Sequence, residues 1–194
     1  MDVDLGFFIL HHDIEFKREE LSTDRTNEVI SYANVINQEW NPFILSKEIG
    51  LNAKRDFEKG LYRSAIVNCQ TSIETFLQTL LIELYSTVAK TEDEVNEIFE
   101  IKGFVAVLKS EFHPFLNGIW NVTKKDSKIG SWYSKCYKVR NQIIHKGEYP
   151  TASQVGDAIY ATEELIFYIV NLIIMKKKEF PKLNKLVTNK RDAS

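Results

Sequence analysis

From Tyr62 to about Val88 the chain keeps one helical period without a break. Ile66, Cys69, Ile73, Phe76, Leu80 and Leu84 form an apolar stripe, widened by Leu77, Leu81 and Tyr85, while Ser64, Asn68, Thr71, Thr75 and Gln78 line the other face. A helix of that length carries an apolar face about 40 Å long, which must be covered by other elements to be stable in water. No other feature constrains the fold as strongly. The chain has only 8 Gly and 4 Pro among its 194 residues, which favours helices over a many-turned β-protein as the covering elements. With 44% hydrophobic and 12% aromatic residues, it can build one core with a small appendage, and it does not read as disordered.

The partners of this helix can be read on both sides of it. Asn41-Pro42 is an N-cap followed by Pro at a first helical position, opening a helix with Leu45, Ile49, Ala53 and Phe57 on one side. Gly60 closes it, so 43–88 is expected to be an antiparallel helical hairpin. Thr91 and Glu94 make a capping box for a third helical region that runs to about Trp120, interrupted near Lys102-Gly103 and at Pro114. The segment NVTKKDSKIG (121–130) reads as a loop. Ser131 is expected to cap the next helix, with Trp132, Cys136, Val139 and Ile143 as its core stripe and Gly147 as its stop. Thr151 and Gln154 form a second capping box, opening a last helix to about Lys178 with Val155, Ile159, Thr162, Ile166, Ile169 and Ile173 at helical spacing. The expected fold class is all-α: five to seven helices, with the pair 43–88 packed on the pair 131–178. Residues 42–178 form this bundle, after an N-terminal extension (1–41) and before a basic C-terminal tail (179–194). Within the extension LGFFIL suits either a short strand or a helical turn, and Val29, Ala33, Ile36 and Trp40 recur at helical spacing. The stretch from Lys176 onward holds seven basic residues and two acids, read as a solvated terminus or a phosphate-binding arm.

Charge and cysteine usage exclude several classes. A net charge of −2 means that any nucleic-acid surface must be local. Cys69 and Cys136 both fall on apolar stripes and read as core thiols in a reducing compartment; there is no zinc-like cysteine spacing. Met1-Asp2-Val3-Asp4 is acidic where a signal peptide is basic. LIFYIVNLIIM (165–175) is too short to span a bilayer, so a soluble, cytoplasmic protein with no membrane partner is expected. His11-His12-Asp13 is a metal-ligand candidate without a second cluster; no metal and no cofactor are expected.

One stretch does suggest chemistry. In KVRNQIIHKG (138–147), Ser134, Lys138, Asn141 and His145 form a polar stripe beside the core stripe, with Arg140 one residue to the side. Five positions apart, Arg140 and His145 are offset by about 140° around the helix and about 7.5 Å along it, so both can face a substrate but not each other. An imidazole exchanges a proton near neutrality, a guanidinium grips phosphate oxygens, and Asn adds neutral donors and an acceptor. These are the parts for cleaving a phosphodiester without a metal. The plain alternative is an ordinary exposed helix end, where Lys and His complement the dipole.

Arg140-Asn141-x-x-x-His145, followed by a loop and a long apolar helix, resembles the active-site motif of HEPN domains. The upstream KRDFEKGLYRSAIVNCQTSIETFLQTLL resembles the helical hairpin of that family, and the likeness covers about residues 47–178. The resemblance implies an antiparallel bundle that dimerises with its active site at the interface, and metal-independent endoribonuclease activity that leaves a 2′,3′-cyclic phosphate and a 5′-hydroxyl. On that basis Arg140, Asn141 and His145 are the catalytic candidates, and Lys138 and Lys146 the RNA-binding ones. It further implies a role as a toxin or in antiviral, abortive-infection defence, with RNA and an antitoxin or defence protein as partners. The alternative within the family is a non-catalytic module that binds a nucleotide or a partner nucleotidyltransferase. Gly147 stands where one toxin subgroup has a modifiable Tyr, and Tyr149 is out of register for that role. Glu74 is placed to orient Arg140, or else is a capping or exposed residue, and His113 reads as a packing or surface residue.

Overall fold

The structure, a computed structural model, describes residues 41–188. His11-His12-Asp13, LGFFIL and the helix expected between Asp24 and Trp40 lie outside the described residues. Among those described, every regular element is a helix and no strand occurs. In chain order these are α1 (Ile44–Glu58), α2 (Tyr62–Ser86), α3 (Glu92–Lys102), α4 (Phe104–Ser110), the single turn α5 (His113–Leu116), α6 (Lys128–Trp132), a π-helical turn (Tyr133–Tyr137), α7 (Lys138–Lys146), α8 (Ala152–Met175) and α9 (Pro181–Thr188). Counted with 128–146 as one continuous rod, seven helices exceed a single turn, within the expected five to seven.

The α2 stripe forms the centre, as its period requires. Ile66, Ile73, Leu77, Leu80, Leu81 and Leu84 are fully buried, each contributing about 1.5–3 kcal/mol by leaving water. Five elements pack on α2: α1, α3, the π turn, α7 and α8. The hairpin α1–α2 therefore rests on the rod and α8, as expected. At its turn Gly60 takes φ 74, and the Leu61 N–H bonds back to the Asp56 carbonyl at 2.8 Å. Asp56 also accepts from the Ser64 hydroxyl and, at 2.8 Å, from the Asn68 amide. This carboxylate holds the first turns of α2 against the end of α1.

In α1 the expected boundaries and face change. The helix starts at Ile44 with Phe43 at the N-cap position, not Asn41, and Phe43 caps with no side-chain bond. Leu45 is 52% exposed; the buried positions are Phe43, Ser46 and Ala53. Small polar groups make this seam, for the Ser72 hydroxyl donates to the Ser46 carbonyl at 2.7 Å. The rings of Phe43 and Phe76 meet 5.1 Å apart beside it.

Both capping boxes form, at Thr91/Glu94 and Thr151/Gln154. The third region breaks where its sequence does: Gly103 adopts φ 73 between α3 and α4, and Pro114 lies in the first turn of α5. By length and composition alone α8 is long and apolar enough to cross a membrane, with 24 residues and a mean hydropathy of 1.6. Its periodic face, Val155, Ala158, Ala161, Leu165, Ile169 and Ile173, is buried in the bundle. The basic stretch after it is not wholly a tail. α9 buries Leu183, packs on α8 and pairs Lys182 with Glu83 at 3.1 Å.

Candidate functional site

The rod that carries Arg140, Asn141 and His145 starts earlier than its sequence suggested. Ser127, not Ser131, is the N-cap, accepting from the Gly130 N–H at 3.0 Å, so 128–130 is helix and not loop. The misreading has a steric origin. A Cβ on Gly130 would sit 2.1 Å from the Lys124 carbonyl oxygen, so this Gly is inside a helix because the preceding loop folds down onto it, not because the helix stops there.

The π turn at Tyr133–Tyr137 is the element that sequence periodicity missed. Its i→i+5 bonds absorb one extra residue, and such turns recur at functional sites. Beyond it, each side chain takes the angular place its predecessor would hold in an unbroken α-helix, a rotation of about 100°. Along the rod Trp132, Cys136 and Ile143 are buried, Val139 and Arg140 are both half-buried, and Ile144 is exposed. Ser134 accordingly drops out of register with Lys138. The turn is lined by Tyr133 and Tyr137, stacked at 5.1 Å, with the Lys138 ammonium 5.4 Å above the Tyr133 ring.

From Lys138 to Lys146 the helix is regular α, so the 140° and 7.5 Å offset of about five residues applies to Arg140 and His145. Arg140 is half-buried and donates from Nη1 to Asn141 Oδ1 at 3.1 Å, which fixes both side chains and leaves most guanidinium N–H groups and the Asn141 NH2 as donors. His145, Lys138 and Lys146 are exposed. Gly147 ends the helix in the left-handed region, at φ 69, and its N–H returns to the Ile143 carbonyl at 3.1 Å. Glu74 does not orient Arg140. It accepts from Gln70 Nε2 at 2.8 Å, and no ion pair joins it to Arg140 among the described residues. Gln70 in turn faces the Cys136 thiol, 3.7 Å from Oε1; burial pushes that thiol up to about 12, so it is inert as a nucleophile. Cys69 and Cys136 are both free and buried.

A second arginine reaches this helix end. Arg63, on the first turn of α2, donates from Nη2 to the Gly147 carbonyl and lies 4.9 Å from the centre of the Tyr149 ring. The fold thus brings Arg63 to Gly147 and Tyr149, directly after the Lys146 that closes α7. The contact spans 84 positions, and an exposed Arg at a helix start gives no local signal of it. His113 is exposed and bonded to the Gly118 carbonyl, away from this cluster in sequence and in element. Among the described residues no group of His, Cys, Asp and Glu could hold a metal ion. The arrangement offers a guanidinium held by its neighbour and a lysine, Lys138, at the start of α7, and an exposed imidazole, a second guanidinium and Lys146 at its end. Chemically it can bind phosphate oxygens and exchange a proton. Compared with family models, with characterised proteins and with solved structures, the chain has no match in any of the three.

Proposed function

We propose that the chain is a metal-independent endoribonuclease of the HEPN type, acting in the cytoplasm in toxin or antiviral defence. The observation that carries this reading is the pairing of Arg140, half-buried and bonded to Asn141, with an exposed His145 on the same regular helix. In this mechanism His145 takes the proton of a ribose 2′-hydroxyl, whose oxygen attacks the adjacent phosphorus. The 5′-oxygen leaves as a hydroxyl, taking the proton back from the imidazolium of His145, and a 2′,3′-cyclic phosphate remains. Arg140 stabilises the charge on the phosphorane, and Lys138 and Lys146 hold flanking phosphates. The angular offset of Arg140 from His145 is met by a homodimer with the site at its interface, in which a second copy supplies the group that one helix cannot turn to the same side.

The test is to incubate the wild type and three variants with total RNA and with DNA of matched length, with and without EDTA. Because Arg140 is half-buried, Arg140→Gln is the variant of choice; His145→Ala is on the surface and leaves packing intact. Each should lose on the order of 10²- to 10⁴-fold in cleavage, Asn141→Ala less, with DNA untouched and EDTA without effect. Cleavage that persists in His145→Ala, or that stops with EDTA, overturns the mechanism. A folded wild type that cleaves no RNA leaves the non-catalytic, partner-binding module as the better reading.

A further inference from the structure

A pocket of about 380 Å³, lined by Lys109, His113, Trp120 and Asn121, opens where α4, α5 and the loop after α5 meet. It shares no residue with the cluster on α7. His113, Trp120 and Asn121 each have a polar atom engaged by the protein, which settles what the pocket offers a ligand. His113 Nδ1 lies 3.2 Å from the Gly118 carbonyl; a carbonyl only accepts, so Nδ1 carries the proton and Nε2 remains. Asn121 Oδ1 accepts from both the backbone N–H and the hydroxyl of Thr123, at 2.9 and 2.8 Å, which sets the amide and leaves its NH2. Lys109 makes no ion pair among the described residues, and it remains a charged donor. The Trp120 N–H is consumed by the Asn117 carbonyl, and its ring stacks on Phe112 at 4.8 Å, so this wall is fixed and apolar.

The backbone here is under strain. Asn117 has φ 56 and ψ −150, a region that side-chain-bearing residues avoid at about 1–3 kcal/mol and that clusters at ligand sites. It is held by its own N–H to the His113 carbonyl at 2.9 Å and by the Tyr168 hydroxyl, which accepts from the Ile119 N–H at 2.8 Å. The acid nearest in sequence, Glu111, is occupied by Lys102, Tyr85 and Ser110. No lining residue is acidic.

We propose that this pocket binds a small molecule through a phosphate monoester. Lys109 Nζ and the Asn121 NH2 donate to phosphate oxygens, and a single proton shared between His113 Nε2 and a third oxygen completes the set. A phosphate monoester, whose second ionisation lies at about pH 6, can supply that proton close to neutrality; sulfate cannot. The volume lies at the small end of the range for ligand pockets, enough for a phosphate with a pentose.

The experiment is calorimetric titration at neutral pH with ribose 5-phosphate, ribose and inorganic sulfate, on wild type, Lys109→Ala, His113→Asn and Arg140→Gln. An Asn side-chain NH2 takes the place of His Nδ1, so His113→Asn keeps the Gly118 bond and removes only Nε2. Ribose 5-phosphate should bind saturably, and ribose and sulfate much less. Lys109→Ala should weaken binding by about tenfold, the worth of one charge-assisted bond, His113→Asn by several-fold, and Arg140→Gln not at all. A fourth titrant, a 5′-phosphorylated oligoribonucleotide, separates a metabolite from an RNA end: tighter binding there than for ribose 5-phosphate overturns the small-molecule assignment. No saturable heat below about 10 mM ribose 5-phosphate, or equal binding by wild type and Lys109→Ala, overturns the site itself. Lys109 is exposed, so its variant folds and the result is decisive even where His113→Asn does not. Loss of RNA cleavage in Arg140→Gln with intact phosphate binding keeps the two sites apart.

Discussion

Glu111→Gln is the substitution whose cost can be worked most directly from the structure. Glu111 is only 8% exposed and accepts from Lys102 Nζ, the Tyr85 hydroxyl and, at 2.7 Å, the Ser110 hydroxyl. Burial works to raise its carboxyl, but these three hydrogen bonds and the Lys102 charge outweigh that and hold it at about 2, against 4.5 ordinarily. At about 1.4 kcal/mol per tenfold change in acidity, that drop corresponds to about 3 kcal/mol. The Lys102 side chain is 45% exposed, so solvent screening brings the expected cost of Glu111→Gln to about 2 kcal/mol at neutral pH. The unfolded chain takes up the Glu111 proton more readily than the fold does, so the contribution is complete above about pH 5 and is lost as the pH falls toward about 2. The contact shows again from the other side: burial, then the bond to Glu111, pushes the Tyr85 phenol up to about 12. Urea unfolding followed by circular dichroism, at intervals from pH 7 to pH 2.5, measures the gap between wild type and variant. The gap should be largest at neutral pH and shrink on acidification, and absorbance titration should show one tyrosine moving back toward 10 in the variant. A gap near zero at neutral pH, or one constant down to pH 2.5, would refute the reasoning.

Two further outcomes are expected. Gly130→Ala forces its Cβ against the Lys124 carbonyl at 2.1 Å, so either the 121–127 loop lifts or the start of α6 unwinds, and thermal unfolding should show a loss of at least about 2 kcal/mol; an unchanged melting temperature counts against the close approach. Leu183→Ala removes the buried anchor of α9 and should cost about 2–4 kcal/mol, with proteolysis near Pro181 becoming faster than in wild type; a neutral result would mean that α9 does not hold to α8.

Periodicity made most of the bundle legible. The α2 stripe, the two capping boxes and the breaks at Gly103 and Pro114 are all local signals, and each is where local chemistry put it. What escaped depends on pairs of segments. Ser127 caps α6 because the basic loop packs on Gly130, and neither half of that contact is visible alone. Leu183 makes a helix of a lysine-rich stretch because α8 offers it a surface. At the candidate site, Arg140, Asn141 and His145 could be picked out by residue type and spacing, but the π turn that precedes them leaves no compositional mark. Arg63 could not be found at all by reading along the chain, since it meets Gly147 only once α2 and α7 lie together.

The π turn has an evolutionary corollary. A helix that takes in one residue too many behaves as a record of a single-codon insertion, and deleting one residue between Tyr133 and Tyr137 would let 128–146 close into uninterrupted α-helix. Trp132 and the residues before it would keep their seats. Everything from Lys138 on would swing by about 100° relative to them, taking Ile143 out of the core or Arg140 out toward solvent. At the outward positions Ser134 and Lys135 a point substitution is therefore a mild perturbation, whereas a change of length is severe, so a lineage can vary those letters of YSKCY while holding the number of letters constant.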